Sequence, residues 1–195
     1  MLKKIFAFLA IIIFVISFGV DADAASKRKR KNTSSNQAVS TIPDSVLPKR
    51  GDIAVLVEGD DEQHVRITES KIIDSLVNHG YRVVDEKKMK AIKAAAVRAQ
   101  AARYALEGNV EGILRLNGSY SCAATVIARV QAGQPVQNQF QLYTGNASIA
   151  IIAVTSRGTK LGGKTAMSKQ VAFSEYETQV KSIEAAVEDG MSQMY

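Results

Sequence analysis

Residues 53–65 read IAVLVEGDDEQHV, an apolar run that ends in Glu58-Gly59 and is followed at once by Asp60, Asp61, Glu62 and His64. Five consecutive apolar residues without alternation mark a strand covered on both faces, central in a sheet. The acidic end poses a choice. It is either the metal-binding edge of a catalytic sheet or the polar loop after a buried strand. The surrounding chain favours the loop.

Beyond this strand the pattern switches to helical spacing. Thr68, Ile72, Ile73, Leu76 and Val77 mark one face of a helix over about 67–78, and Gly80 suits its C-terminal stop. Tyr81-Arg82-Val83-Val84 is a short second strand. Asp85 sits where an N-cap belongs, before a long alanine-rich helical stretch that ends near Glu107-Gly108 and has room for a break around Ala94 to Val97. Gly112 to Tyr120 and Ser121 to Val130 then read as strands. Gln131 to Gln137 is a loop, Phe140 to Tyr143 is extended, and Ala147 to Thr155 is a second central strand. Ser156 to Lys160 is a turn around Gly158. Thr165 to Ser174 returns as a strand. Glu175 to Met194 closes the chain as a helix with the stripe Val180, Ile183, Val187, Met191 and Met194. The order β-α-β-α-β, then an antiparallel meander, then a helix, defines the α/β class with one mixed sheet.

Lys3 and Lys4 precede an apolar run from Ile5 to Val20, and Asp21-Ala22-Asp23-Ala24-Ala25 follows. A positive start, an apolar core and a small-x-small site form an export signal, with cleavage between Ala24 and Ala25. The run is shorter than the ~20 residues of a membrane-spanning helix. Five positive charges, Lys27 to Lys31, stand just beyond it and favour the competing reading, an uncleaved membrane-anchored adaptor. The expected organisation is a signal peptide over 1–24, a basic disordered linker over 25–50 and a single α/β domain over 51–195. Export places that domain in the periplasm or outside the cell. The membrane then enters only transiently through the signal peptide, or through the basic tail.

The net charge of +6 lies in the tail. Residues 1–50 hold nine Lys/Arg and three Asp, which leaves 25 − 9 = 16 basic and 19 − 3 = 16 acidic residues for 51–195. A nucleic-acid-binding domain should carry a basic face, and nothing in the neutral stretch 51–195 demands one, so no nucleic-acid partner is expected. The lone Cys122 excludes an internal disulfide and a cysteine-based zinc site, and its apolar context reads as a small buried side chain.

Four segments together resemble a family of bacterial envelope α/β domains. They are Ile53 to Val57, Leu76 to Asp85, Ala102 to Ser119, and Ala150 to Gly163 with the helix that follows. That family includes the penicillin-binding-protein activator LpoB, the curli secretion factor CsgG and the periplasmic flagellar protein FlgT, and the amino-terminal domain of TolB has a related fold. The resemblance covers about residues 52–194. It implies a non-catalytic role: binding another envelope protein in envelope or flagellar assembly, or regulating peptidoglycan synthesis through a synthase, flagellar or secretion component. Glu107-Gly-Asn-Val-Glu111 departs from the family's usual Leu-Gly-Ala-Asp. No lipobox cysteine is present, which favours a soluble periplasmic form over a lipoprotein.

Two stretches resemble catalytic motifs. The strand ending in Glu58-Gly59 and followed by Asp60 resembles the first motif of a Toprim metal site, where Glu58, Asp60 and Asp61 would serve a metal-dependent enzyme. Such a site needs a second carboxylate pair at a later strand end. The candidate ends Leu114-Arg-Leu-Asn-Gly and Val154-Thr-Ser-Arg-Gly supply none. Gly158 to Thr165 matches the spacing of a phosphate loop but leads into a strand rather than a helix. His64 reads as a solvated loop residue and His79 as a helix-end residue. The sequence therefore assigns no catalytic residue, no metal ligand and no cofactor. The candidate partner contacts are Phe140 and Tyr143, in the polar stretch Gln131 to Gly145.

Overall fold

A computed structural model describes residues 47–195, with Lys164 described in its backbone only. The export signal, the cleavage site at Ala24 and Ala25 and the basic run lie outside these residues.

β1 (Asp52–Glu58) is the strand read from the opening stretch, and Ile53 to Leu56 are all buried. α1 (Glu62–Asn78) starts five residues earlier than the apolar spacing indicates. The reason is Asp61. Its side chain accepts from the His64 backbone N–H at 3.0 Å and so caps the first turn. Gly59 to Asp61 is thus a tight connection, and the polar residues after it are helix, not loop. β2 (Arg82–Val83) is short. Asp85 caps α2 (Glu86–Ala99) by accepting from the Lys88 N–H at 2.8 Å, as its position indicates. The alanine-rich stretch breaks at Gln100, whose φ of 48° ends α2 and opens α3 (Ala101–Leu106).

α4 (Glu111–Ser119) corrects the strand expected over Gly112 to Tyr120. Ile113, Leu116 and Asn117 are its buried residues, and spacings of three and four place them on one helical face. The remaining elements are β3 (Cys122–Ala132), β4 (Val136–Gln137), β5 (Tyr143–Thr155), β6 (Lys160–Ala172) and α5 (Glu175–Met191). Ser174 caps α5 through the Glu177 N–H.

The six strands form one mixed sheet in the order β2-β1-β3-β5, with β4 and β6 also paired to β5. β1 is parallel to β2 and β3, whereas β3, β4 and β6 run antiparallel to β5. This is the mixed sheet expected from the element order.

The pairing register separates two faces. One carries Val55, Val126, Ile149, Ile151 and Ala166. α5 covers it, and Gly190 approaches Ile151 so closely that a Cβ would stand 2.9 Å from Cδ1. α1 packs beside α5. The other face carries Ala54 and Leu56, then Thr125 and Ile127, then Val154 and Ile152. α4 is fastened there by a buried pair of hydrogen bonds. Asn117 Nδ2 donates to the Val154 carbonyl at 3.0 Å, and the Thr125 hydroxyl donates to Asn117 Oδ1 at 2.6 Å.

Leu47 corrects the linker boundary. It is buried in the core, and its N–H donates to the Met194 carbonyl at 3.2 Å. Lys49 follows it, donating to the His79 carbonyl at 3.1 Å and lying over the Tyr81 ring.

Candidate functional site

The acidic stretch after β1 is taken up by structure. Glu58 lies opposite Arg129 of β3, and their charged groups meet at 3.2 Å. Asp61 is the α1 cap, and the donated His64 N–H holds its carboxyl below the ordinary aspartate value. Asp60 is exposed. A cleft of about 750 Å³ opens here, lined by Glu58, Asp60, Arg103, Glu107, Arg129 and Gln131 among others. Arg103 and Glu107 pair with each other across one helical turn. Among the described residues, no group of three or more His, Cys, Asp or Glu side chains is placed to hold a metal ion.

The other sequence candidates are structural in their surroundings. His64 is largely covered, with Nδ1 4.0 Å from Asp61. His79 ends α1, contacts the Ser75 carbonyl through Nδ1 at 2.8 Å and stacks on Tyr195 at 3.6 Å. The Tyr195 hydroxyl is 2.6 Å from Ser75 Oγ. Burial raises the Tyr195 hydroxyl above its ordinary pKa and does the same to the buried Cys122 thiol. The stretch resembling a phosphate loop runs from the β5–β6 turn into β6. Gly162 and Gly163 have φ of 70° and 120° where the β5–β6 register slips, so they form a bulge rather than a cradle before a helix.

A different surface stands out. On the face where α4 packs, cover by the described residues ends at the level of Arg129. Beyond it, Gln131, Ser148 and Met167 form one cross-strand row, and Val136, Thr144 and Val171 form another. Asn146 and Lys169 lie between them. Met167 is 77% exposed, and Val136 and Val171 are also exposed. Phe140 stands at the tip of the β4–β5 turn, 72% exposed. The turn is built on Asn138, whose side chain accepts from the N–H groups of Phe140 and Leu142. Tyr143 is half-buried at the start of β5, so the two candidate contacts differ: Tyr143 packs in the sheet and Phe140 does not. Phe173 follows β6 and is 82% exposed. Isolated exposed apolar residues are ordinary, whereas Val136, Met167 and Val171 lie close together on one sheet face.

A charge pattern accompanies this surface, and the sequence count over 51–195 hid it by summing the domain. From Ser121 to Ser174 the chain has no Asp or Glu. It has Arg129, Arg157, Lys160, Lys164 and Lys169. All 16 acids of 51–195 therefore lie on either side of this segment, in 51–120 and 175–195. The domain is neutral in sum, and its acids are segregated along the chain.

No family model matches the chain, and no curated protein matches it. Several solved structures are similar to it. The lipoprotein GNA1162 from Neisseria meningitidis shares 16% identity over 73% of this chain and 99% of that chain, at a TM-score of 0.42. A PelC dodecamer from Paraburkholderia phytofirmans shares 10% identity over 76% and 92%, at 0.46. The LpoB C-terminal domain from Salmonella enterica shares 6% identity over 62% and 84%, at 0.35.

Among the described residues, no helix is long and apolar enough to cross a membrane.

Proposed function

We propose that this chain is an exported, non-catalytic protein-binding module of the bacterial cell envelope. Its docking surface is the antiparallel half of the sheet. One observation carries the reading: an acid-free segment of the sheet exposes Val136, Phe140, Met167, Val171 and Phe173 beside cationic residues. A surface of large apolar side chains with charged neighbours suits a protein contact. The non-catalytic part rests on the carboxylates after β1, since Glu58 is paired to Arg129 and Asp61 caps α1. Export rests on the pattern from Lys3 to Ala25. Within the envelope, the role is assembly of an envelope or flagellar structure, or regulation of peptidoglycan synthesis.

The test is to purify the tagged protein from its own host, weigh it, and crosslink it in the cell. The reading expects a mature chain that begins at Ala25 and enrichment of a discrete envelope protein. It also expects that alanine at Glu58, Asp60 and Asp61 together leaves the biological activity intact. Loss of activity in that triple variant, with the fold retained, would return the chain to the exported metal-enzyme reading. A chain retaining residues 1–24 would make it a membrane-anchored adaptor.

A further inference from the structure

β6 is the edge of the sheet that the helices leave free. It has 13 residues and pairs with β5 along one side. The opposite edge strand, β2, has two residues. Every second residue of an edge strand turns its N–H and C=O outwards, where another extended chain can bond them. From Thr165 to Ala172 the pairing with β5 is continuous, so this part of the edge is regular. The bulge at Gly162 and Gly163 bounds it at one end, and the turn into α5 at the other.

Met167, Lys169 and Val171 alternate along this stretch and therefore share one face, the bare one. All three are exposed. Lys169 has no ion-pair partner among the described residues. The whole of β6 holds three lysines and no acid. Pairing with a second copy of β6 would bring like charges together along the edge, and lysines on an edge oppose such self-association. A strand with an acid opposite Lys169 gains instead of losing.

We propose that β6 takes up an extended acidic segment of a partner protein as a seventh strand. That segment carries an acid opposite Lys169, with apolar residues two positions to either side against Met167 and Val171. The recognition pattern is apolar-x-acidic-x-apolar. This rests on the protein-binding reading above and names the chemistry of the partner. The partner is a polypeptide because the free edge offers backbone hydrogen bonds, which a polyanion without a peptide backbone does not match.

The experiment uses the mature chain and two labelled nine-residue peptides. One has the core Val-Thr-Glu-Thr-Val and the other Val-Thr-Lys-Thr-Val, with identical flanks. Binding is read by fluorescence anisotropy at low salt, and hydrogen exchange is read across β6. The glutamate peptide should bind, should slow exchange of amides within Thr165 to Ala172, and should bind Lys169→Glu on the order of fivefold to tenfold more weakly. The lysine peptide should prefer Lys169→Glu, which restores an opposite-charge pair. Lys169→Gln should fall between the two proteins for either peptide. Equal binding of both peptides to wild type would overturn the proposal. So would binding without β6 protection, or no binding at all. Heparin that binds as well as the glutamate peptide, with no amide protection from either, would show a general anion surface and also overturn it. If the peptides fail but crosslinks from Met167 to a discrete envelope protein persist, strand addition is wrong and the docking surface stands.

Discussion

The two halves of this domain handle charge and cover in opposite ways. In the first half, up to Tyr120, helices close over β1 and β2 and several acids find cationic partners. Glu58 meets Arg129, Glu69 meets Lys93 at 2.6 Å, and Asp52 meets Arg82 at 2.9 Å. In the second half, from Ser121 to Ser174, β3 still pairs parallel with β1, every pairing onto β5 is antiparallel, and no acid is present. One face there is sealed by α5, and the described residues leave the other bare beyond Arg129. Burial follows the same division. β1 is buried through Ile53 to Leu56 without alternation, while β5 alternates buried and exposed over Gly145 to Ala147 before becoming fully buried at Ile151 to Val154. A parallel core needs cover on both faces, whereas an antiparallel ribbon can leave one open. The open ribbon is the surface we propose for a partner.

The comparison yields a graded series of changes. Ile151→Ala sits where the sealed face meets α5 and should cost about 2–5 kcal/mol in denaturant unfolding, by removing buried methyl groups next to Gly190. Asn117→Ala should cost about 1–3 kcal/mol, because the Thr125 hydroxyl and the Val154 carbonyl each lose a buried partner. Asp85→Ala removes the α2 cap and should cost about 1 kcal/mol. Met167→Ser, on the bare face, should change stability by no more than about 0.5 kcal/mol. If Met167→Ser destabilises as much as Asn117→Ala, the bare face is a folding surface and the division fails.

Acid sharpens the same division. The Asp61 carboxylate binds the His64 N–H in the folded state, which depresses its pKa. A depressed acid stabilises the fold above its unfolded value and loses that contribution as pH falls through the folded value. The loss therefore falls below the ordinary aspartate value of 3.8. Asp61→Asn, which still caps, should flatten the acid limb of the stability curve while leaving neutral stability nearly unchanged. The thiol of Cys122 tests core integrity in the same protein. Burial raises its pKa, so a thiol reagent at neutral pH should modify it only as the domain unfolds.

Much of the architecture was legible in the residues. The strand at Ile53 to Val57 announces itself by unbroken apolar character, the Asp85 cap by its place before a helical stretch, and the last helix by its stripe from Ile183 to Met194. Three features were not legible, each for a physical reason. α4 reads as a strand because apolar spacing ignores Asn117, a buried polar residue whose partners stand 8 and 37 positions away. The α1 start Glu62-Gln63-His64 carries no apolar residue, so only the cap at Asp61 marks it. Leu47 stands beside Val46 in a stretch without apolar periodicity, and its backbone is held by Met194 at the far end of the chain. The docking surface was half legible. Phe140 stood out as an aromatic in a polar loop. The absence of acids from Ser121 to Ser174 needed only counting by segment instead of over the domain.

The most direct test places a photo-crosslinking amino acid at Met167 in one strain and at Val97 in another. Val97 is a fair control: it is 76% exposed, but on α2 in the charge-paired half. The expected result is a discrete crosslinked envelope protein from Met167, with none above background from Val97. Equal capture from both positions, or capture from Val97 alone, would contradict the assignment of partner binding to the antiparallel half.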